Sequence, residues 1–140
     1  MSQSYRILVS SHSDFIYTLS FHPTSNSLHL EHKTHTGYHP SWITSSPHDK
    51  SLIFAGLEHP EGKIVILKFE NGKGTLQKTI SSGGRDPCSL LATEKELFVA
   101  NVRSISLAMQ LANSILLVLR RWYSRCSHLA WPAIFSGIVP

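Results

Sequence analysis

The chain has 140 residues, a length that suits one ordinary domain, and its composition of 41% hydrophobic and 16% charged residues is typical of a folded chain rather than a disordered one. The net charge of +4 comes from the C-terminal part, because all nine acidic residues precede residue 97 and nine of the thirteen basic residues balance them there. The excess is Arg103, Arg120, Arg121 and Arg125, with no basic and aromatic stripe, so we do not expect nucleic-acid binding.

The first hundred residues predict short β-strands, because apolar and polar residues alternate between clusters of Gly, Pro, Asn and Ser. No convincing helix pattern interrupts this alternation. The fold class is therefore predicted to be all-β. The predicted strands are Tyr5 to Ser10, Phe15 to Phe21, Ser27 to Lys33, Ser41 to Ser45, Leu52 to Gly56, Lys63 to Phe69, Thr75 to Ile80, Cys88 to Ala92 and Leu97 to Ala100.

These strands form a repeat. Ile16 to Phe21 aligns with Ile64 to Phe69, 48 residues further along, and His39 to Ile43 aligns with Asp86 to Leu90, 47 residues further along. A period of roughly 40 to 50 residues with four strands is typical of β-propeller blades. Since a four-stranded blade has two apolar faces, it must stack against neighbours. The sequence therefore predicts a partial β-propeller of about two four-stranded blades.

The most specific motifs are Pro40-Ser41-Trp42-Ile43 with Ser46-Pro47-His48-Asp49, and Ser82-Gly83-Gly84-Arg85-Asp86-Pro87-Cys88 with Phe98-Val99-Ala100-Asn101. In these motifs the chain, over about residues 5 to 101, resembles the lactonase family of seven-bladed β-propellers. This family includes bacterial 6-phosphogluconolactonase and fungal 3-carboxy-cis,cis-muconate cyclase, and the chain looks closest to the fungal members. The resemblance implies an enzyme, a lactone hydrolase or a carboxymuconate cycloisomerase, that acts on a small-molecule lactone or carboxylate without a metal or an organic cofactor.

The sequence departs from the family pattern in two places. Ser89 stands where the family usually has His after Pro-Cys, and the sequence after Asn101 replaces the family's tyrosine and glycine-led strand. Seven blades of this repeat length need roughly 330 to 370 residues, and the family's proposed catalytic residues lie in later blades. We therefore expect an N-terminal fragment, inactive on its own. Two alternatives stay open, a non-catalytic propeller-derived interaction module and a truncated gene product without a function.

Three residues are predicted to bind substrate, and no catalytic residue is assigned. Arg85 and Asp86 precede a predicted inner strand, and His39 occupies the equivalent place one repeat earlier. In a closed propeller such loops can face the central channel, where an Arg binds a carboxylate or phosphate through two hydrogen bonds and a His moves protons. The structural alternative is that Asp86 caps the turn, Arg85 is solvated and His39 bonds to the backbone.

A metal site is not predicted. His29, His32, His35 and His39 are close in sequence, but side chains alternate along a strand, so His29 and His32 would face opposite sides. Cys88 and Cys126 lack a CxxC neighbour and do not form a disulfide framework. Because the N-terminus also lacks the apolar run of a secretory signal, we expect a cytoplasmic protein.

The alternation stops at Val102, so we predict N-terminal blades over residues 1 to 101 and a non-homologous tail over residues 102 to 140. Ile105 to Leu119 is apolar and has helix-favouring residues, and it can form a helix. Its roughly 15 residues are fewer than the ~20 that span a bilayer, so a membrane anchor is not expected. The loss of acidic residues and the break in period indicate a sequence not selected to fold with the blades.

Overall fold

A computed structural model describes residues 3–102, 107–111, 114–116 and 138–139. Every element in these ranges is a β-strand, and all nine predicted strands are present with ends within two residues of the prediction. The strands are β1 (Tyr5–Ser10), β2 (Phe15–His22), β3 (Ser27–His35), β4 (Pro40–Ser45), β5 (Leu52–Leu57), β6 (Lys63–Glu70), β7 (Lys73–Ser81), β8 (Pro87–Ala92), β9 (Glu96–Asn101), β10 (Leu107–Leu111), β11 (Ser114–Leu116) and β12 (Ile138–Val139).

Within the described residues the strands form three antiparallel sheets of four strands each. Sheet 1 has the order β12-β1-β2-β3, sheet 2 the order β4-β5-β6-β7 and sheet 3 the order β8-β9-β10-β11. The nine predicted strands thus supply three strands of sheet 1, all of sheet 2 and two of sheet 3. This arrangement confirms the predicted all-β partial propeller.

The repeat extends to irregularities of the backbone. A β-bulge inserts an extra residue into one strand and bends it, so its position is a specific feature of a sheet. The register shifts recur at equivalent positions: between Thr18 and Leu19 in β2 and between Ile66 and Leu67 in β6, then between Pro40 and Trp42 in β4 and between Pro87 and Ser89 in β8. The repeated units therefore share one bent backbone rather than a generic strand pattern.

The core lies between the sheets. Because successive side chains on a strand point to opposite faces, β6 places Ile64 in one buried cluster and Val65 in the other. This position between two sheets explains why β6 contains an uninterrupted apolar run. The cluster between sheets 1 and 2 is Leu8, Ile16, Ile43, Ile53, Ala55, Leu57, Val65 and Leu67, and the one between sheets 2 and 3 is Ile64, Leu90, Leu97 and Val99.

Hydrogen bonds from β4 also tie sheet 2 to sheet 3. The indole Nε1 of Trp42 donates to the carbonyl oxygen of Leu90 at 2.9 Å, while its ring packs against the second cluster. The hydroxyl of Ser41 donates to the carbonyl oxygen of Pro87 at 3.3 Å. The first strands of the two sheets are therefore joined by polar as well as apolar contacts.

The segment Ile105 to Leu119, which by its sequence can form a helix, is β-strand in the parts that the structure describes. There β10 pairs with β9, and β11 pairs with β10. A free edge of β9 would leave a row of backbone N–H and C=O groups unpaired, and this pairing outweighs local helix propensity. The other residues of the segment lie outside the described ranges, as does the predicted tail beyond Leu116 except for β12. No helix of the described residues has the length and apolarity to cross a bilayer.

An ion pair between Asp49, in the β4–β5 hairpin, and Lys68 of β6 lowers the pKa of Asp49. Lys68 Nζ lies 2.6 Å from Asp49 Oδ2, and Ser51 donates to Asp49 Oδ1 from its backbone N–H at 3.0 Å. The hydrogen bond from Lys68, followed by those from Ser51, lowers the pKa of Asp49 from 3.8 to about 2. The pKa of Asp49 is lower in the folded state than its ordinary value of 3.8. The ion pair therefore stabilises the folded state fully above pH 3.8, and this stabilisation is lost as the pH falls through about 2.

We predict that Lys68→Met raises the pKa of Asp49 towards 3.8. The measurement is an NMR titration of the Asp49 carboxyl carbon. Lys78→Met removes the same charge from an exposed position on β7 and should leave the pKa of Asp49 near 2. An unchanged Asp49 pKa in Lys68→Met would contradict the assignment.

Candidate functional site

Four connections meet at one end of the sheets, here named the loop end: residues 11–14, 36–39, 58–62 and 82–86. Residues 11–14 and 58–62 link the second strand of a repeat to its third strand. Residues 36–39 and 82–86 link the last strand of one repeat to the first strand of the next. Backbone hydrogen bonds join them: Thr36 N to Asp14 O (3.0 Å), Glu58 N to His39 O (3.0 Å), Ser82 N to Gly62 O (2.9 Å) and Asp86 N to His59 O (3.2 Å).

His39 and Asp86, two of the predicted site residues, occupy equivalent positions at this end. Each has a positive φ, 40° and 53°, and each precedes the proline that begins a first strand. Residues other than Gly adopt this conformation rarely, and surrounding contacts must hold it. Here the carbonyl oxygen of His39 accepts from Glu58 N, and that of Asp86 accepts from Val102 N at 3.0 Å. The backbone of both residues is therefore fixed by equivalent bonds.

His39 belongs to an aromatic cluster that the sequence analysis did not predict. Its ring stacks on Tyr38 with centroids 3.9 Å apart and lies 5.6 Å from the ring of His12. Tyr38 meets His59 edge-on at 5.4 Å. His12 Nε2 in turn lies 3.5 Å from a carboxylate oxygen of Glu58. The cluster therefore gathers three imidazoles, a phenol and a carboxylate from three loops, all groups that hold or move protons.

A signal for part of this cluster does exist in the sequence. His12 and His59 lie 47 residues apart, in the loops that follow the second strand of successive repeats. Comparing loops as well as strands between the repeats would have selected both histidines. The approach of Tyr38 to His59 depends on the pairing of β4 with β5, in which Pro40 lies opposite Leu57, so spacing alone could not reveal it.

Arg85, the third predicted site residue, is exposed at the loop end. Its Nε donates to the carbonyl oxygen of Pro60 at 3.2 Å. Pro60 follows His59, whose own carbonyl oxygen accepts from Asp86 N. The structure thus brings His39, Arg85 and Asp86 to one end, around the single loop 58–62. Their role in substrate binding stays a prediction.

Loop 82–86 is held in place by buried polar contacts. Ser82 is fully buried, and its hydroxyl lies 3.0 Å from the carbonyl oxygen of Gly84 and 2.8 Å from Asn101 Oδ1. The amide Nδ2 of Asn101 donates to the backbone oxygen of Ser82 at 3.2 Å. Asn101, the last residue of the Phe98-Val99-Ala100-Asn101 motif, therefore positions the loop that carries Arg85.

Lys63 and Glu61 form an ion pair beside the loop end. Lys63 Nζ lies 2.6 Å from a carboxylate oxygen of Glu61, and this hydrogen bond is the main reason that the pKa of Glu61 is lowered. A cleft of about 280 Å³ next to this pair is lined by Glu61, Gly62, Lys63, Thr79, Ile80 and Ser81. His39, Arg85 and Asp86 do not line that cleft.

The histidines of β3 are arranged differently from the expectation. Alternation predicted opposite faces for His29 and His32, and this prediction is wrong. The bulge in the β2–β3 pairing places His32 opposite Thr18 and His29 opposite Ser20, so the two histidines share a face. Among the described residues, no three His, Cys, Asp or Glu side chains come together as metal ligands would.

Comparison with known proteins gives a family and a fold. The family model described as "Lactonase, 7-bladed beta-propeller" matches residues 5–114. A solved structure of a candidate 6-phosphogluconolactonase from Bacteroides fragilis superposes with a TM-score of 0.69 at 22% identity, covering 76% of this chain and 32% of that chain. A candidate 6-phosphogluconolactonase from Bacteroides uniformis gives 0.65 at 20% identity, covering 76% and 33%.

A protein from Lactobacillus plantarum superposes with a TM-score of 0.69 at 18% identity, covering 84% of this chain and 36% of that chain. The chain therefore spans about a third of the length of these solved structures. At such identities the likeness shows the fold alone. The search of curated proteins finds no match.

The close packing of loops 58–62 and 82–86 gives a prediction about Gly62. Its φ is 59°, and a Cβ there would overlap the carbonyl oxygen of Gly84 and the hydroxyl of Ser82. We predict that Gly62→Ala lowers the free energy of unfolding by ~3 kcal/mol or more, since backbone strain of about 1–3 kcal/mol is joined by the overlap. Urea unfolding followed by circular dichroism measures the loss.

Gly37→Ala is the matched control. Gly37 also has a positive φ, 97°, but its added Cβ would meet only Leu57 at an ordinary 3.8 Å. The free energy of unfolding of this variant should fall only by the cost of backbone strain, about 1–3 kcal/mol. Equal losses in the two variants would show that the approach of Gly62 to Gly84 does not matter.

Proposed function

The chain belongs to the lactonase family of seven-bladed β-propellers, and we propose that it forms the substrate-binding loop end of a propeller that opens the ring of an anionic sugar lactone. The observation that carries the proposal is the grouping of His39 and Arg85 around loop 58–62, with His12, Tyr38 and His59 beside them. This grouping combines proton-transfer groups with a cation, which is the combination that lactone hydrolysis requires.

The proposed roles follow from the reaction. Water adds to the lactone carbonyl carbon, the ring C–O bond breaks, and the ring oxygen leaves as a hydroxyl. A neutral imidazole takes the proton from the attacking water and returns it to the departing ring oxygen, so no proton is gained or lost overall. His39 is the proposed base, and Arg85 binds the anionic group of the substrate through its planar guanidinium. Asp86 positions the loop that bears Arg85.

The positive charge of Arg85 indicates the class of substrate. Arg85 is exposed and is positioned by its bond to Pro60, so it offers a cation to a phosphate or carboxylate on the sugar. The candidate 6-phosphogluconolactonases among the solved structures suggest a 6-phosphorylated sugar lactone. A carboxymuconate lactone, to which the sequence resemblance also points, is the other substrate to test. Because the chain spans about a third of those structures, the activity is proposed for the whole propeller.

We predict that the chain binds 6-phosphogluconate, the ring-opened product of the phosphorylated lactone, at the loop end. Two-dimensional NMR of histidine ring and arginine Nε–H signals during a titration should show shifts at His39 and Arg85. Arg85→Met should weaken binding at least ~10-fold, since a charge-assisted bidentate pair is lost. Gluconate without the phosphate and carboxymuconate are titrated in parallel, and the ranking of the three assigns the anion that is recognised.

The matched control is Arg6→Met. This substitution removes the same charge from the end of β1 opposite the loop end, where Arg6 Nε lies 3.1 Å from a carboxylate oxygen of Glu31. This variant should bind 6-phosphogluconate as the unsubstituted chain does. Binding that weakens equally in both variants would reflect net charge alone, and a titration without shifts at His39 and Arg85 would reject the loop end as the substrate site.

A further inference from the structure

A β-turn in loop 58–62 holds the side chain of His59. The turn consists of His59, Pro60, Glu61 and Gly62, and Gly62 N donates to the carbonyl oxygen of His59 at 2.7 Å. Pro at the second position and Gly at the fourth are both favoured in such turns. At the first position His59 behaves as Asp and Asn often do, because its ring Nδ1 accepts a hydrogen bond from Glu61 N at 3.1 Å. The ring is therefore bonded to the turn that it begins.

This hydrogen bond determines which ring nitrogen of neutral His59 carries the proton. A backbone N–H donates only to a nitrogen without a proton, so Nδ1 is the acceptor and the proton is on Nε2. A neutral imidazole in this form is a hydrogen-bond donor at Nε2, and its one acceptor nitrogen is already bonded to Glu61 N. The side chain of His59 is therefore suited to donate a hydrogen bond rather than to take a proton from water.

The backbone of His59 is held at the same time. Its N–H donates to the carbonyl oxygen of Leu57 at 2.7 Å, and its own carbonyl oxygen accepts from Asp86 N at 3.2 Å. The ring also meets Tyr38 edge-on, with centroids 5.4 Å apart. A donor that is oriented before the substrate arrives needs no rearrangement during the reaction. The Nε2–H of His59 is such a donor.

The other two imidazoles of the loop end are placed differently. His12 Nε2 lies 3.5 Å from a carboxylate oxygen of Glu58, so that nitrogen faces a carboxylate of the chain itself. His39 stacks on Tyr38 and is the proposed base. Of the three imidazoles, His59 is therefore the one whose hydrogen-bonded Nδ1 defines Nε2 as the donor.

His59 lies beside the proposed anion-binding residue. Arg85 Nε donates to the carbonyl oxygen of Pro60 at 3.2 Å, and Pro60 follows His59 in the chain. His59 is only partly buried and Arg85 is exposed, so a small molecule can reach both side chains. A cation and an oriented neutral donor are therefore attached to neighbouring residues of one loop.

We propose that the Nε2–H of His59 binds the carbonyl oxygen of the lactone and stabilises the oxyanion that forms there. This role depends on the proposed function and adds a residue to it. When the oxygen of water bonds to the carbonyl carbon, the π electrons of the C=O bond move onto the carbonyl oxygen, and the hydrogen bond from His59 strengthens as the negative charge grows. The C=O bond then re-forms as the ring C–O bond breaks. His59 keeps its proton throughout, while the proton of the water passes to His39.

The experiment compares two ligands that share a phosphate and differ at C1. 6-Phosphogluconate has a C1 carboxylate that includes the former carbonyl oxygen, whereas glucitol 6-phosphate has a hydroxymethyl group there. In two-dimensional NMR of the purified chain, both ligands should shift the Arg85 Nε–H signal, but 6-phosphogluconate should shift the ring nitrogens of His59 far more. 6-Phosphogluconate should also bind at least ~10-fold more tightly, because a hydrogen bond to a charged acceptor is the stronger one.

Substitutions at His59 separate the donor from the shape of the ring. His59→Phe keeps a ring beside Tyr38 but has no donor, so it should bind 6-phosphogluconate at least ~10-fold more weakly and glucitol 6-phosphate as before. His59→Gln supplies an amide N–H near the position of Nε2 and should restore part of the lost affinity. Circular dichroism checks that both variants are folded.

His48→Phe is the matched control. His48 is exposed in the β4–β5 hairpin, at the end of sheet 2 opposite the loop end. This variant should bind both ligands as the unsubstituted chain does. A 6-phosphogluconate affinity that falls equally in His48→Phe and His59→Phe would overturn the assignment.

The ligand-free chain provides an independent check, because the ring nitrogen shifts of neutral His59 should show the proton on Nε2. A proton on Nδ1 would overturn the role of His59. Equal shifts of His59 with the two ligands, or equal losses of affinity for both in His59→Phe, would also overturn this role and would leave Arg85 as the anion-binding residue. If neither ligand shifts the Arg85 signal, the proposed function and the role of His59 are both rejected.

Discussion

The architecture depends on the packing of one sheet against the next. Each sheet has two apolar faces, since strand alternation sends neighbouring side chains to opposite sides. Ile64 and Val65 of β6 illustrate the constraint, because each is buried in a different inter-sheet cluster. Burial of apolar surface is the main favourable contribution to folding, so sheet 2, with neighbours on both sides, has the most complete core. Within the described residues, sheets 1 and 3 each contribute to one inter-sheet cluster only.

Strand pairing within each sheet and packing between sheets together create the loop end. Backbone hydrogen bonds beside paired strands of one sheet connect loop 11–14 to 36–39 and loop 58–62 to 82–86. Residues distant in sequence, such as His12 and His39, become neighbours in this way. The positive φ values of His39 and Asp86 show that the backbone is held tightly where each first strand begins. A rigid loop end of this kind is a suitable support for binding a small anion.

Family membership and local chemistry contribute different parts of the functional argument. The family establishes a lactonase-type propeller, while solved structures at 18–22% identity establish the fold without transferring a substrate. The proposed roles of His39 and Arg85 rest on their positions around loop 58–62 and on the chemistry of imidazole and guanidinium groups.

The sequence alone determined the strands, their repeat and the family resemblance, because a period of two and a repeat of about 48 residues are local patterns. It also selected His39 and Asp86, which precede first strands at equivalent places, and Arg85, which adjoins Asp86. Only the tertiary structure decided which residues join them: His12 meets His39, and Tyr38 meets His59, through contacts between different loops. It likewise reversed two expectations, since a bulge puts His29 and His32 on one face and an open strand edge draws Leu107–Leu111 into a sheet. Local patterns record which conformation each segment favours, whereas contacts between sheets depend on the position of the whole chain.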